Sequence, residues 1–296
     1  MESVKEILKN LKKIEIYTNR LVEQEMGGVY RSVFKGKGIE FFEVREFQEG
    51  DDIRSIDWNV TARMGQPYVK TYLEERELTV YILVDLSSSE DFGSMERSKR
   101  NLSGLISALI SFSAIKNNDR VGLILFTDKV EKHLPPKKGK DHIMHLLREI
   151  LFFEPEGKGT DIKNALNFFG RICPKRAILF LISDFFDSNF EREARILARK
   201  HDFIAIQTLD EREENFDLKG LLKAEDIEEG REFLIDFSSE KVREYYKNKM
   251  KEFQENLEKF FKTSNIDYLK IMTSEDPFKP LEEFFKERKK RKRGAL

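Results

Sequence analysis

Thr79 to Ser89 reads TVYILVDLSSS, and its first seven residues decide the fold class. β-Branched and aliphatic side chains follow one another with no polar face, the pattern of a strand covered by helices on both sides. The run AILFLISD, Ala177 to Asp184, repeats it more strongly, and Val121 to Thr127 and Phe203 to Thr208 are further runs of the same kind. Between them lie helical stripes: Leu102, Leu105, Ile106, Leu109 and Ile110 share one face, and His142 to Leu151 forms another. A further helix begins near Asp161 and stops before Pro174, whose ring cannot continue it, and another spans about Phe190 to Lys200. Val130 to Leu134 reads as an edge segment, Phe233 to Asp236 as a short strand continuing the alternation, and Tyr268 to Met272 as the last strand. A long helix from about Glu240 to Lys262 places Val242, Tyr245, Tyr246, Phe253, Leu257, Phe260 and Phe261 on its apolar side, and a helix from Leu281 to Lys289 closes the chain. Strands alternating with helices predict an α/β fold, a doubly wound, mostly parallel sheet with helices on both faces and right-handed crossovers. Upstream, Val4 to about Leu21 reads as an amphipathic helix and Gly27 to Arg63 as irregular structure with short strands. The expected organisation is an N-terminal helix and irregular, β-containing segment over residues 1–75, packed on a main domain over residues 76–296 with a helical C-terminal extension.

Composition narrows the function classes. At 296 residues and 40% hydrophobic, the chain has ample apolar content for a core. The 53 Lys and Arg offset the 54 Asp and Glu to a formal net charge of -1, so no global field steers it toward nucleic acid or an anionic membrane. A single cysteine, Cys173, excludes an internal disulfide and a thiolate zinc cluster, and fits a reducing, cytoplasmic setting. The N-terminal stretch mixes acids and bases without an apolar core, and no run approaches a bilayer span.

In a sheet of this kind ligands bind beyond the carboxyl ends of the strands. Three such places stand out. Asp85-Leu86-Ser87-Ser88-Ser89 is a D-x-S-x-S arrangement, Gly157-Lys158-Gly159-Thr160-Asp161 opens a helix, and Ser183-Asp184 ends the strongest strand. The donors on offer are carboxylates and hydroxyls, hard oxygens that suit Mg²⁺ or Mn²⁺. Other chemistries fail on spacing. An aspartyl-phosphate enzyme needs an acid two residues after Asp85, where Ser87 stands, and Gly157 to Thr160 lacks the Lys-Ser/Thr order of a P-loop. No G-x-S-x-G surrounds Ser87 to Ser89, and His142 and His145 lack the HExxH spacing of a metalloprotease.

The strand-end residues together resemble the metal-ion-dependent adhesion site of von Willebrand factor A domains, which are Rossmann-like α/β folds. The resemblance implies that Ser87, Ser89 and Thr160 coordinate one Mg²⁺ or Mn²⁺ through hydroxyls, and that Asp85 and Asp184 bind it directly or through water. The stretch VYRSVFKGKGIEFFEVREFQEGDDIRSIDWNVTAR, followed by PYVKTYLEERELTVYILVDLSSS, resembles the signature of the family called domain of unknown function 58: G-x-x-F, an Arg before an aromatic, G-D-D-x-R-x-I-D-W, then Ala-Arg. The long helix followed by NIDYLKIMTSEDPFKPLEEFFKER has that family's shape as well. Phe47, where many members have Tyr, and Glu90, where Met is frequent in the wider group, depart from the pattern. What the resemblance implies is a non-enzymatic, metal-dependent interaction module. Its partner would be a MoxR-type AAA+ ATPase, or another protein donating a Glu or Asp to the metal, with an adaptor or chaperone role. A metal-assisted phosphoester hydrolase and a metal-independent scaffold with a decayed site are the alternatives.

Two charged stretches carry separate expectations. In EGDDIRSIDW, Asp51, Asp52, Arg54 and Asp57, with Arg63 beyond, are expected to form a structural network of Arg-carboxylate pairs around Trp58, so that Arg54→Ala destabilises the fold, with a direct binding role as the alternative. The tail from Glu287 to Arg293 is expected to be a solvated, frayed end, with contact to nucleic acid or an acidic partner as the alternative.

Overall fold

Why the expected sheet forms is visible in a computed structural model, which describes residues 13–18, 20–22, 28, 30, 33–34, 40–73, 77–91, 98–214, 221–225 and 232–294. The first elements are strand β1 (Glu40–Glu46), helix α1 (Trp58–Met64) and strand β2 (Tyr68–Leu73), with β1 and β2 pairing antiparallel as a separate two-stranded sheet. The main domain follows with β3 (Thr79–Asp85), α2 (Lys99–Lys116), β4 (Arg120–Phe126), β5 (Val130–Lys137), α3 (Lys140–Phe152), α4 (Ile162–Ile172), β6 (Ile178–Ser183), α5 (Glu191–Ala198) and β7 (Asp202–Leu209). A hairpin of β8 (Leu221–Glu225) and β9 (Glu232–Asp236) leads to α6 (Glu240–Thr263), β10 (Asp267–Met272) and α7 (Phe278–Gly294).

Six strands form one sheet in the order β10-β7-β6-β3-β4-β5, parallel except for the antiparallel edge strand β5. Alternation along each strand sorts the core into two layers. Val80, Ile82 and Val84 face one side with Phe180, Ile206, Ile106 of α2, Leu147 of α3 and Phe285 of α7, and Tyr30 and Phe34 pack into the same layer. Tyr81 and Leu83 face the other with Leu179, Leu181, Phe169 of α4, Leu197 of α5 and Phe261 of α6. Each fully buried side chain of this size contributes about 1.5–3 kcal/mol, which is why strands apolar on both faces end up in the middle of the sheet.

Several expectations need correcting. Of the helix expected over residues 4–21, residues 13–18, 20 and 21 are helical and the remainder lies outside the described residues. The stretch expected to be irregular contains α1, capped by the Asp57 carboxylate, which accepts from Asn59 N at 3.0 Å and Val60 N at 3.3 Å, and closed by Gly65 at φ 74°. The short strand ending at Asp236 does not continue the main sheet but pairs with β8. The apolar side of α6 is buried only toward its C-terminal half, at Leu257 and Phe261, while Tyr245 is 60% exposed.

The charged stretches differ most. Arg54 and Arg63 are exposed and, among the described residues, form no ion pair, while Trp58 is 68% exposed. The acids find other partners: Asp51 accepts two N–H bonds from the Arg45 guanidinium at 2.8 and 2.7 Å, and Asp57 pairs with Lys70 at 3.0 Å. Nor is the tail a loose end. Arg288 is buried in α7, pairing with Asp202 and lying 3.0 Å from Asp267, with its guanidinium over the Phe34 ring. Those aspartates are the first residues of β7 and β10, so one guanidinium ties the last helix to two strand starts. Replacing Arg288 by Ala leaves two carboxylates without it and is expected to cost about 3–5 kcal/mol, seen as a lowered Tm, whereas the exposed Lys290→Ala is expected to leave Tm unchanged. Arg54→Ala is likewise expected to leave the melting temperature unchanged, and a substantial drop in a thermal melt would restore the buried-network account.

Candidate metal centre

The chain crosses from β3 to β4 on one side, and the second half of the sheet starts at β6 on the other, so β3 and β6 flank the point where strand order reverses. Helices on the two sides leave in opposite directions there, opening a crevice at the carboxyl ends. Val84 pairs with Ile182 in register, which brings Asp85 and Ser183 side by side. The Ser183 hydroxyl donates to Asp85 Oδ2 at 2.8 Å, and Ser87 N donates to Asp85 Oδ1 at 2.8 Å. A 3-10 turn, Ser88–Asp91, then curls the chain so that the Ser87 and Ser89 hydroxyl oxygens lie 3.1 Å apart and Ser89 Oγ donates to Asp184 Oδ2 at 2.8 Å. Asp184 Oδ1 accepts from Phe186 N at 3.1 Å. Between them Phe185, fully buried against Phe261 and Phe190, has φ 63°, a left-handed conformation that costs a bulky residue about 1–3 kcal/mol and turns the chain sharply beside Asp184.

Two further charged groups complete the cluster. The 3-10 turn points Glu90 inward, 1% exposed, and among the described residues its Oε2 has no hydrogen-bond partner. Lys99, the first residue of α2, is fully buried and donates at 2.8 Å to both Asp184 Oδ2 and Glu213 Oε1. A cation at a helix N-terminus opposes the helix dipole, so the carboxylates must hold it there. Burial alone would lower the Lys99 pKa, but Asp184, Glu90 and Glu213 outweigh it and raise the pKa above the ordinary value. Burial, reinforced by Asp184, pushes the Asp85 carboxyl up to about 7, and burial drives Glu90 well above the usual carboxylate range. Among the described residues, one ammonium therefore faces the carboxyl groups of Asp184, Glu90 and Glu213, with Asp85 beside them, an excess of acid that protons or a further cation would balance.

A divalent cation fits this donor set. Asp85, Glu90 and Asp184 each offer an oxygen, and these oxygens all lie within 4.8 Å of one another. Opposite ligands of octahedral Mg²⁺ are separated by about 4.2 Å, so a small closure brings them into range. The unsatisfied Glu90 oxygen is the kind of buried acceptor that an ion satisfies. Of the five residues expected to hold the ion, the structure gathers Asp85, Ser87, Ser89 and Asp184 into one hydrogen-bonded group. Thr160 is half-buried on the adjoining loop and, among the described residues, makes no side-chain hydrogen bond to that group. Its loop is nonetheless fastened to the site: Ser88 N donates to Lys158 O at 3.0 Å, Gly157 N to Glu131 Oε1 at 2.7 Å and Asp161 N to Thr127 O at 2.9 Å.

Sequence reasoning missed Lys99 and Glu213, and took Glu90 for a departure rather than a possible donor. The rule of inspecting strand ends would have found the neighbourhood of Glu213, since β7 ends beside Asp210, whose carboxylate accepts from Thr273 just after β10 at 2.8 Å. Nothing in the spacing marks Lys99. The loop also explains one glycine: a Cβ on Gly157 would collide with Asp128 Oδ1 and Thr127 Oγ1. Gly157→Ala is expected to destabilise the fold by about 1–3 kcal/mol in a denaturant titration, because loop and strand end must separate.

Comparison with known proteins places these residues in a family. The model of the family described as protein of unknown function DUF58 matches residues 43–256. An uncharacterized protein of Mycobacterium tuberculosis is 32% identical over 231 residues, covering 76% of this chain and 73% of its own length. The uncharacterized protein YeaD of Bacillus subtilis is 29% identical over 107 residues, 36% of this chain and 25% of its own. Among solved structures, the conserved hypothetical protein BatB from Bacteroides thetaiotaomicron covers 72% of this chain and 99% of its own at 16% identity and a TM-score of 0.46. A von Willebrand factor type A structure from Catenulispora acidiphila covers 75% and 43% at 12% identity and a TM-score of 0.36. At these scores the strand order and register, rather than the likeness, define the fold. The extent of the family match, together with the relative at 32% identity, makes this chain a member of the DUF58 family.

Proposed function

We propose that this chain is a non-enzymatic protein-interaction module whose binding depends on a divalent cation. Asp85, Ser87, Ser89 and Asp184 would hold Mg²⁺ or Mn²⁺, with Thr160 and Glu90 beside them, and a Glu or Asp of the partner would complete the shell. The observation that carries this reading is the excess of buried acid at the β3/β6 crevice, with the Glu90 oxygen unsatisfied among hard-oxygen donors. When bound, the metal supplies the positive charge that this acid lacks and a coordination position for an incoming carboxylate. The chain's own groups orient the donors: Ser183 and Ser87 N fix Asp85, and Ser89, Phe186 N and Lys99 fix Asp184. The family resemblance suggests a MoxR-type AAA+ ATPase as the partner, in the cytoplasm. No helix among the described residues is long and apolar enough to cross a membrane.

Calorimetric titration of chelator-stripped protein with Mg²⁺ and Mn²⁺ tests the metal. Saturable binding lost in Asp184→Ala is the expected result, followed by capture of the ATPase in cation and not in EDTA. No binding in the wild type would overturn the reading. The pH dependence has a definite sign. Asp85, pushed up to about 7, is protonated below that value and must release its proton to coordinate, as must Glu90 where it binds, so metal affinity is expected to weaken at least tenfold per pH unit as pH falls below about 7.

A second reading, a metal-independent scaffold, is favoured by Lys99, which already supplies a cation to Asp184 and Glu213. Lys99→Met separates the two. If a metal is the working cation, removing the ammonium is expected to tighten Mn²⁺ binding. If Lys99 is the working cation, the substitution is expected to cost about 3–5 kcal/mol of stability that no metal restores.

A further inference from the structure

The G-D-D-x-R-x-I-D-W stretch is built as a face rather than as a core. Each of its acids is turned to the chain's own groups: Asp51 to Arg45 and to Gln48 N at 2.8 Å, Asp52 to Arg54 N at 2.9 Å, and Asp57 to Lys70 and the first amides of α1. Its basic and apolar side chains are left outside. Arg54 and Arg63 are exposed without an ion pair among the described residues, and Ile53, Trp58 and Met64 are 68%, 68% and 60% exposed. Helical spacing gathers Trp58, Asn59, Ala62 and Arg63 on one outward arc of α1, while Thr61 turns inward and accepts from Tyr68 N at 3.0 Å. The seven residues of α1 include an Arg and no acid.

This face is also held rigidly. Asp57 caps the start of α1, Gly65 N closes its end on Thr61 O at 2.9 Å, and Asp57 N donates to Tyr68 O at 2.8 Å while Thr61 Oγ1 accepts from Tyr68 N, so the helix is capped at both ends and tied to the first residue of β2. A rigid face loses little conformational freedom when it binds, and Trp and Arg together are the residue types that dominate interface energetics. An exposed indole on the same arc of α1 as an arginine that has no ion pair among the described residues is complementary to a segment carrying carboxylates and apolar side chains: Arg takes a carboxylate through two parallel N–H bonds, and the indole covers an apolar side chain.

We infer that α1 and the turn before it form a second docking face, independent of the metal centre, that binds an acidic, partly apolar segment of a partner protein. An indole and arginines also suit single-stranded nucleic acid. The formal net charge of -1 and the carboxylates of Glu49 and Asp52 nearby favour a protein segment with a few carboxylates among apolar side chains over a polyanion charged at every unit, because the repulsion grows with the charge of the ligand.

The test exploits Trp58, the only tryptophan in the chain, whose emission reports on this face alone. A phage-displayed random-peptide library is selected on the full chain in EDTA, with the Trp58→Ala/Arg63→Ala double variant as counter-selection after its Tm is shown to match the wild type. Recovered peptides are synthesised and titrated while Trp58 fluorescence is followed. The expected result is peptides rich in Asp and Glu with an aromatic or aliphatic residue, a blue shift of Trp58 on binding, and at least about tenfold weaker binding to Arg54→Ala and to Arg63→Ala. Binding is expected to weaken with added salt. Failure to recover any peptide, recovery of peptides without acids, or tighter binding of a labelled oligo-dT at Trp58 would each overturn the inference. Because every step runs without metal, failure here and failure of the metal-dependent reading are separate results.

Discussion

Acid kept out of water at the crevice between β3 and β6 is the constraint around which the rest of the structure is arranged. Moving a carboxylate away from water is costly unless it is paired, protonated or ligated. Here the parallel register sets Asp85 beside Ser183, the 3-10 turn brings in Ser89 and Glu90, and the sharp turn at Phe185 positions Asp184. Lys99 then sits at the end of a helix where its charge is unwelcome, because Asp184 and Glu213 need it more than the helix dipole opposes it. The apolar layers above and below the sheet make this possible by keeping water from the strand ends.

The same logic runs through the charged surface with the opposite outcome. Where acids meet a base within reach, as Asp51 meets Arg45 or Asp202 and Asp267 meet Arg288, they are consumed in structure. Where bases find no acid among the described residues, as with Arg54 and Arg63, the chain presents them outward on α1 and the turn before it. Two places with different chemistry result: buried acid at the carboxyl ends of β3 and β6, and exposed arginines with an exposed indole on α1 and the turn before it.

Much of this was legible in the chain itself. Runs such as TVYILVD and AILFLISD have no polar face, so only a doubly covered sheet can accommodate them, and the strand-end rule then picks out Asp85 and Asp184. Lys99 was not legible because its importance lies in contacts with residues 85 and 114 positions further along the chain, Asp184 and Glu213. The signature stretch was misjudged because charge pattern alone does not say which acid a base will reach. Arg45 and Lys70, on the flanking strands, took the partners that Arg54 and Arg63 were expected to have. In the tail, a run of like charge concealed Arg288, whose inward position depends on where β7 and β10 begin. The hairpin of β8 and β9 was half seen, since Phe233 to Asp236 reads as a strand but its partner carries too little apolar signal.

The antiparallel edge strand β5 has a consequence for how the protein can associate. A sheet edge with free amides and carbonyls is a template on which another chain can lengthen the sheet. In β5 the sequence VEKHLPPK puts Pro135 and Pro136, which have no amide hydrogen, next to Lys132 and Lys137. An approaching strand would find missing donors and like charges, so that edge is blunted against runaway strand addition. On that side of the sheet, recognition is left to side chains rather than to shared backbone.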